Sequence, residues 1–125
     1  MNNLLIGSTK KTPEVRFHTD GRLKISGRSI PEDPTMFYDQ LFEWIYFFCQ
    51  DPPSSNITTL DIELEYFNSG SSKAILHILR ALVDISKKGI KLTINWYYEE
   101  GDDDIMERGE YYESILGFKF NFIET

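Results

Sequence analysis

The amino-acid sequence predicts an α/β fold, a two-layer domain in which a mixed sheet carries helices on one face. Several stretches alternate apolar and polar residues with period two, which is typical of half-buried strands, whereas strands covered on both faces are continuous apolar runs. Stretches with apolar residues at helical spacing lie between them. The chain has 125 residues, a usual length for one domain, so residues 1–125 are expected to form a single domain.

The first two predicted strands form a hairpin. Val15 and Phe17 alternate with polar residues in one strand, and the next strand follows the same pattern over residues 23–25. Asp20-Gly21 lies between them and is a typical two-residue hairpin turn. These two strands are therefore expected to be antiparallel.

The third predicted strand alternates apolar residues with carboxylates, so one side should face helices and the other water. Its apolar members are Leu60, Ile62, Leu64 and Tyr66, and its acidic members are Asp61, Glu63 and Glu65. A fourth strand alternates from Ile90 to Tyr97, and a short last strand is predicted over Phe118 to Phe122. The strand–helix–strand unit from Ile57 to Tyr98 is expected to be a right-handed parallel crossover.

Three helices are predicted between the strands. The first begins at Asp33-Pro34, an N-cap followed by proline in the first helical position, and ends before Asp51. The second runs from about Ser71 to Lys88 and the third from about Asp104 to Leu116, each followed by a glycine. A second aromatic stripe on the first helix is expected mainly to pack in the core, although some of its rings could form a docking patch: Tyr38, Phe42 and Tyr46.

Charge and composition exclude several classes of protein. The 13 basic and 20 acidic residues give a net charge of −7, which argues against a nucleic-acid partner because phosphates require a basic face. No apolar run approaches the roughly 20 residues that cross a bilayer, and the first residues lack the ordered regions of a signal peptide. Cys49 is the single cysteine, so no internal disulfide can form. We therefore expect a cytoplasmic protein without a membrane partner.

The segment from Tyr66 to Lys73 is the most informative for function. It joins a strand to a helix and contains three serines within four residues, at positions 69, 71 and 72. Unpaired N–H groups at a helix start favour an anion, so a phosphoryl group on one of these serines would be well tolerated. Simple N-capping by serine is the alternative interpretation. The spacing of a P-loop is absent.

No catalytic residue, metal or cofactor is predicted. The acidic tract from Glu99 to Asp104 lacks the ligand spacing of a calcium loop, and a helix N-terminus that prefers negative charge explains it equally well. The carboxylates of the third strand are expected to keep the open sheet face soluble. His18 and His77 have no nucleophile or orienting acid in a recognisable pattern with them.

Three groups of motifs, in one order over most of the chain, resemble the SiaC family of bacterial regulatory phosphoproteins. The N-terminal group is Thr12-Pro13-Glu14-Val15, then Ser26 to Pro34 (SGRSIPEDP), then Phe37-Tyr38. The central group is Phe67 to Lys73 (FNSGSSK). The C-terminal group is Trp96 to Glu100 (WYYEE), the aspartates 102 to 104, and Glu107 to Glu110 (ERGE).

The resemblance implies a fold like the anti-sigma-factor antagonist (STAS) domain and a partner switch in cyclic di-GMP signalling, as in biofilm formation. A histidine-kinase-like Ser/Thr kinase would phosphorylate the hydroxyl after the loop asparagine, and a PP2C-type phosphatase would remove the phosphoryl group. The unphosphorylated form would bind and regulate an effector, a diguanylate cyclase. No cofactor is implied.

Carried over residue by residue, the phosphoacceptor is Ser69. Serine stands here where the family often has threonine, and Gly70 stands where serine is frequent, so Ser71 and Ser72 remain alternatives. The residues expected to bind the partner are Asn68, Gly70, Lys73, Arg28, Tyr38 and Phe42. Two other functions stay open, an antagonist that controls a sigma factor through an anti-sigma kinase and a small hydrolase that uses the acidic residues.

Overall fold

The computed structural model describes residues 1–125 and contains one six-stranded sheet with three helices. The strands are β1 (Leu4–Ile6), β2 (Glu14–Phe17), β3 (Arg22–Ser29), β4 (Ile57–Phe67), β5 (Lys91–Tyr98) and β6 (Asn121–Glu124), and the helices are α1 (Pro34–Gln50), α2 (Ser69–Ser86) and α3 (Asp103–Leu116). The strands lie in the sheet in chain order. The first three are antiparallel, and β3 to β6 are parallel with one helix in each connection. The sheet is therefore mixed, as predicted.

The burial pattern of the strands shows that the helices cover one face of the sheet. In β4, Leu60, Ile62 and Leu64 are at most 3% exposed, whereas Asp61 and Glu63 between them are half-buried and Glu65 is exposed. The same alternation runs along β5. Buried side chains from the sheet and all three helices form one apolar cluster between the two layers. The prediction of a half-covered sheet is confirmed.

Each helix begins at an Asp or Asn N-cap whose side chain accepts a hydrogen bond from a backbone N–H three residues later, namely Asp33, Asn68 and Asp102. The α1 start agrees with the prediction. Helix α2 begins at Ser69, two residues earlier than predicted, because Asn68 rather than a serine is its cap. Helix α3 begins at Asp103, one residue earlier than predicted.

Both outermost strands differ from the prediction. Strand β1 was missed because its three residues are too few for a period-two signal, and Leu5 in its middle is 56% exposed. The last strand covers residues 121–124 instead of 118–122. Phe120 precedes it, is 6% exposed and stacks with Trp96 at 6.2 Å between ring centroids. The aromatic residues before β6 therefore close the core rather than extend the sheet.

The prediction that Tyr66 continues the buried row of β4 is wrong, because the pairing of β3 with β4 shifts at this point. Gly27 pairs with Leu64 and Arg28 pairs with Tyr66, so Glu65 is an extra residue in β4. An extra residue exchanges the two faces of a strand beyond it. Tyr66 is consequently 47% exposed, and Phe67 takes the inward position with 0% exposure.

Thr58 offers a test of the packing of β4. Its side chain is 0% exposed and its hydroxyl oxygen has no hydrogen-bond partner. We expect Thr58→Val to raise the free energy of unfolding by about 1 kcal/mol, because it removes an unpaired polar group without leaving a cavity. Urea unfolding measures this, with Thr59→Val on the half-buried opposite side as the control that should change little. A lower free energy of unfolding for Thr58→Val would contradict the packing.

Candidate functional site

The predicted phosphoacceptor segment lies where β4 passes into α2. Asn68 has an extended backbone and holds this turn in two ways. Its N–H donates to the Ser29 carbonyl at 3.0 Å, and its side-chain oxygen accepts from the Ser71 N–H at 3.0 Å. Ser69 is the first residue of α2. Asn68 therefore fixes the position from which the Ser69 side chain projects.

The three candidate serines differ in accessibility. Ser69 is exposed. Ser71 is 0% exposed, and its hydroxyl donates to the Ser29 carbonyl at 3.0 Å. Ser72 is half-buried, with its hydroxyl oxygen 2.8 Å from that of Tyr112. An enzyme could reach the Ser69 hydroxyl on the folded protein, whereas the other two hydroxyls already have partners inside it.

A chain of three buried hydroxyls lies beneath the turn. The Ser29 hydroxyl oxygen is 2.7 Å from that of Tyr38 and 2.7 Å from that of Ser71. Since the Ser71 proton goes to the Ser29 carbonyl, Ser29 donates to Ser71 and Tyr38 donates to Ser29. Burial raises the pKa of Tyr38, and its hydrogen bond with Ser29 opposes part of that rise. The network joins the end of β3, helix α1 and the first turn of α2, which assigns Ser29 a structural role.

The aromatic stripe of α1 was expected mainly to pack in the core, with some of its rings in a docking patch, and its three members differ in exposure. Tyr38 is 0% exposed, so its ring cannot contact a partner on the folded protein, and this expectation is corrected. Phe42 is half-buried, and its ring centroid lies 4.4 Å from that of His77 on α2. Tyr46 is 60% exposed. The stripe therefore turns from the core to the surface along the helix.

The other residues expected to bind the partner separate into two kinds. Arg28 and Lys73 are exposed, and Lys73 lies one helical turn after Ser69, on the same side of α2. Asn68 and Gly70 have structural functions. A Cβ atom on Gly70 would lie 2.6 Å from the Pro34 Cγ atom, so the glycine lets the starts of α1 and α2 approach closely.

Helix α3 supports the turn from the other side. The Arg108 guanidinium donates to the Phe67 carbonyl at 2.9 Å, and its Cζ atom lies 3.5 Å from the centre of the Phe67 ring. One turn later, the Tyr112 hydroxyl donates to the Ser72 carbonyl at 2.8 Å. Burial raises the pKa of Tyr112. The sequence contained one signal for these contacts, the spacing of four residues that places Arg108 and Tyr112 on one side of α3.

The remaining chemical candidates form no reactive or metal-binding constellation. No three His, Cys, Asp or Glu side chains come together as ligands for a metal ion. Asp61 accepts a hydrogen bond from the Asn95 amide at 2.8 Å, and the Glu63 carboxylate lies 3.3 Å from the Lys24 ammonium. Both contacts are ordinary pairs of polar side chains on the open face of the sheet. Burial raises the pKa of the Cys49 thiol to about 11, which keeps it protonated. The three helices are too short or too polar to cross a membrane.

Comparison with known proteins agrees with the family resemblance of the sequence motifs. The family described as SiaC family regulatory phosphoprotein matches residues 6–125. A protein of Pseudomonas aeruginosa (strain UCBPP-PA14) that is described as uncharacterised is 29% identical over 121 residues, which cover 96% of this chain and 94% of that protein.

Two solved structures from Pseudomonas aeruginosa have a similar fold. The crystal structure of apo-SiaC has a TM-score of 0.88 at 28% identity, covering 98% of this chain and 99% of that chain. A chain in the crystal structure of the diguanylate cyclase SiaD with its activator SiaC has a TM-score of 0.86 at 28% identity, with the same coverage. The similarity therefore extends over nearly the whole length of each chain.

Proposed function

The chain belongs to the SiaC family of regulatory phosphoproteins, and we propose that its unphosphorylated form binds and regulates a diguanylate cyclase. The similar chain in the SiaD complex supports this partner, because a diguanylate cyclase assembles there with a protein of the same fold. Membership of a family of regulatory phosphoproteins agrees with the expectation that the chain is not an enzyme. Residues 1–125 would act as one STAS-like regulatory domain. The single apolar cluster supports this interpretation.

The proposal that Ser69 is the phosphorylated residue is supported by the exposure of its side chain. A phosphoacceptor must reach the active site of a kinase, and Ser69 alone among the three serines is exposed. Its neighbours are fixed by the Asn68 cap and the buried hydroxyls, so the side chain projects from a rigid support. A phosphoryl group would add a charge of about −2 at this point of the surface without repacking the core.

The proposed switch requires two further partners. A histidine-kinase-like Ser/Thr kinase would transfer the γ-phosphoryl group of ATP to the Ser69 hydroxyl oxygen, and a PP2C-type phosphatase would hydrolyse the resulting ester. The resemblance of the loop motif over Phe67 to Lys73 supports both. Since ATP and the substrate of a diguanylate cyclase are cytoplasmic nucleotides, we propose that the protein acts in the cytoplasm.

The acceptor assignment predicts the outcome of phosphopeptide mapping. After incubation with the cognate kinase and ATP, mass spectrometry should locate the phosphoryl group on Ser69, because its hydroxyl is exposed. Ser69→Ala should abolish the modification, whereas Ser55→Ala, at an exposed loop serine, should leave it unchanged. A phosphoryl group on Ser71 or Ser72 in the unsubstituted protein would contradict the assignment.

A pull-down from the native cell tests whether the partner is a diguanylate cyclase, as proposed, or the anti-sigma kinase that a sigma-factor antagonist would bind. The unmodified protein as bait should retain a diguanylate cyclase, with Ser69→Asp bait as the comparison that retains less. Capture of an anti-sigma kinase in place of a cyclase would contradict the proposed function.

A further inference from the structure

The guanidinium of Arg108 lies beside the phosphoacceptor turn and is only weakly paired. Its carboxylate neighbour is Asp104, with 4.0 Å between the Nη1 and Oδ2 atoms, and the Asp104 side chain is 74% exposed. Arg108 itself is 25% exposed and donates one hydrogen bond, to the Phe67 carbonyl. A guanidinium has five N–H donors, so most of its hydrogen-bonding capacity is available to an anion.

We propose that Arg108 binds the phosphoryl group when Ser69 is phosphorylated. The inference rests on the proposed function, because it takes Ser69 as the acceptor. In the unmodified protein the guanidinium is held by the carbonyl and ring of Phe67. In the phosphorylated protein it forms paired N–H···O bonds to the phosphoryl oxygens, which are stronger than its bond to a neutral carbonyl.

The covalent structure places the two groups within reach. Arg108 contacts the carbonyl of Phe67, and Ser69 is two residues further along the chain. Two residues span at most about 7 Å, a distance that the combined lengths of a phosphoseryl and an arginine side chain can bridge.

Arg108 is a better candidate than Lys73 for this contact. Lys73 is exposed and has the conformational freedom of a long, unsupported side chain, which is lost when it pairs. Arg108 packs on the Phe67 ring, so much of its freedom is already lost. Its planar fork also matches the geometry of a phosphoryl group, whereas an ammonium acts as a point charge.

The second pKa of the phosphoserine tests the contact directly. Phosphoserine can be incorporated at position 69 during translation, and ³¹P NMR then follows its titration without any kinase or cyclase. A nearby guanidinium favours the dianion, so we expect the pKa to lie about one unit below the value of about 6 of a free phosphoserine. In Arg108→Gln it should return to about 6.

Three further variants make the result specific to Arg108. Arg108→Lys retains the charge without the fork and should recover only part of the shift. Arg80→Gln removes an exposed arginine from α2 further from Ser69 and should leave the pKa unchanged. Lys73→Gln should have a smaller effect than Arg108→Gln, and a larger effect would overturn the assignment.

Equal pKa values in the parent phosphoprotein and Arg108→Gln would also overturn the proposal. If Arg108→Gln does not fold, the Arg108 side-chain ¹⁵N signal of the parent decides, since it should shift when Ser69 is phosphorylated and an unchanged signal refutes the contact. These measurements do not depend on whether phosphorylation controls binding to the cyclase. Phosphorylation of a different serine, or undiminished cyclase binding by the phosphoprotein, would refute the proposed function while the titration could still show the Arg108 contact.

Discussion

Replacing Gly109 with alanine is expected to lower the free energy of unfolding by about 3 kcal/mol. Gly109 lies on the buried side of α3, and a Cβ atom there would be 2.5 Å from Nε1 and 2.6 Å from Cδ1 of Trp96. Trp96 is 0% exposed, and its Nε1 donates to the Ile105 carbonyl at 2.8 Å. The ring cannot withdraw without losing this hydrogen bond and disturbing the core, so the helix must move instead.

The sign of this effect makes the test decisive. Helix propensity alone predicts that alanine stabilises a helix by about 1 kcal/mol relative to glycine. Urea unfolding of Gly109→Ala measures which effect prevails, and Ser114→Ala at an exposed position of α3 is the matched control, expected to change the free energy of unfolding by less than about 0.5 kcal/mol. A Gly109→Ala protein as stable as its parent would show that α3 does not pack on Trp96 in this way.

The sequence allowed most of the architecture to be predicted because local patterns and packing agree. Alternation in β4 separates Leu60 and Ile62 from Asp61, and the structure buries them accordingly. Asp33 followed by proline marks the start of α1 without knowledge of the rest of the chain. The bulge at Glu65 could not be predicted, since it depends on how β3 and β4 pair across more than 35 positions of sequence.

The candidate site was predictable in position but not in detail. The motif resemblance indicates the turn and assigns the phosphoacceptor to Ser69, but it leaves Ser71 and Ser72 as alternatives. Burial of Ser71 follows from its contact with Ser29, 42 positions earlier in the sequence, which no local pattern reports. Tyr38 was included among the candidate partner-binding residues, although core packing was the main expectation for its stripe, because helical spacing does not reveal the contact of its hydroxyl with Ser29.

Phosphorylation of Ser69 is expected to weaken binding to the cyclase by about 100-fold or more. A charge brought without a partner into a desolvated interface costs several kcal/mol, and each 1.4 kcal/mol is about a factor of ten in affinity. The dianion would be placed on an exposed turn whose backbone is fixed by Asn68, so the interface could not avoid it by local rearrangement. Pairing with Arg108 would offset only part of this cost.

Substitutions separate the loss of the hydroxyl from the gain of charge. Ser69→Ala should bind like the unmodified protein, because the exposed hydroxyl is expected to contribute little to the contact. Ser69→Asp should weaken binding less than phosphorylation does, since it supplies one charge and a poorer shape. Ser54→Asp places the same charge on an exposed loop away from the turn and serves as the control, with unchanged affinity expected.

Calorimetric titration of the cognate diguanylate cyclase with the unmodified and the Ser69-phosphorylated protein tests the central claim most directly. The switch predicts tight binding by the unmodified protein and a dissociation constant at least about 100-fold larger after phosphorylation. Equal dissociation constants for the two forms would contradict a phosphorylation-controlled partner switch at Ser69.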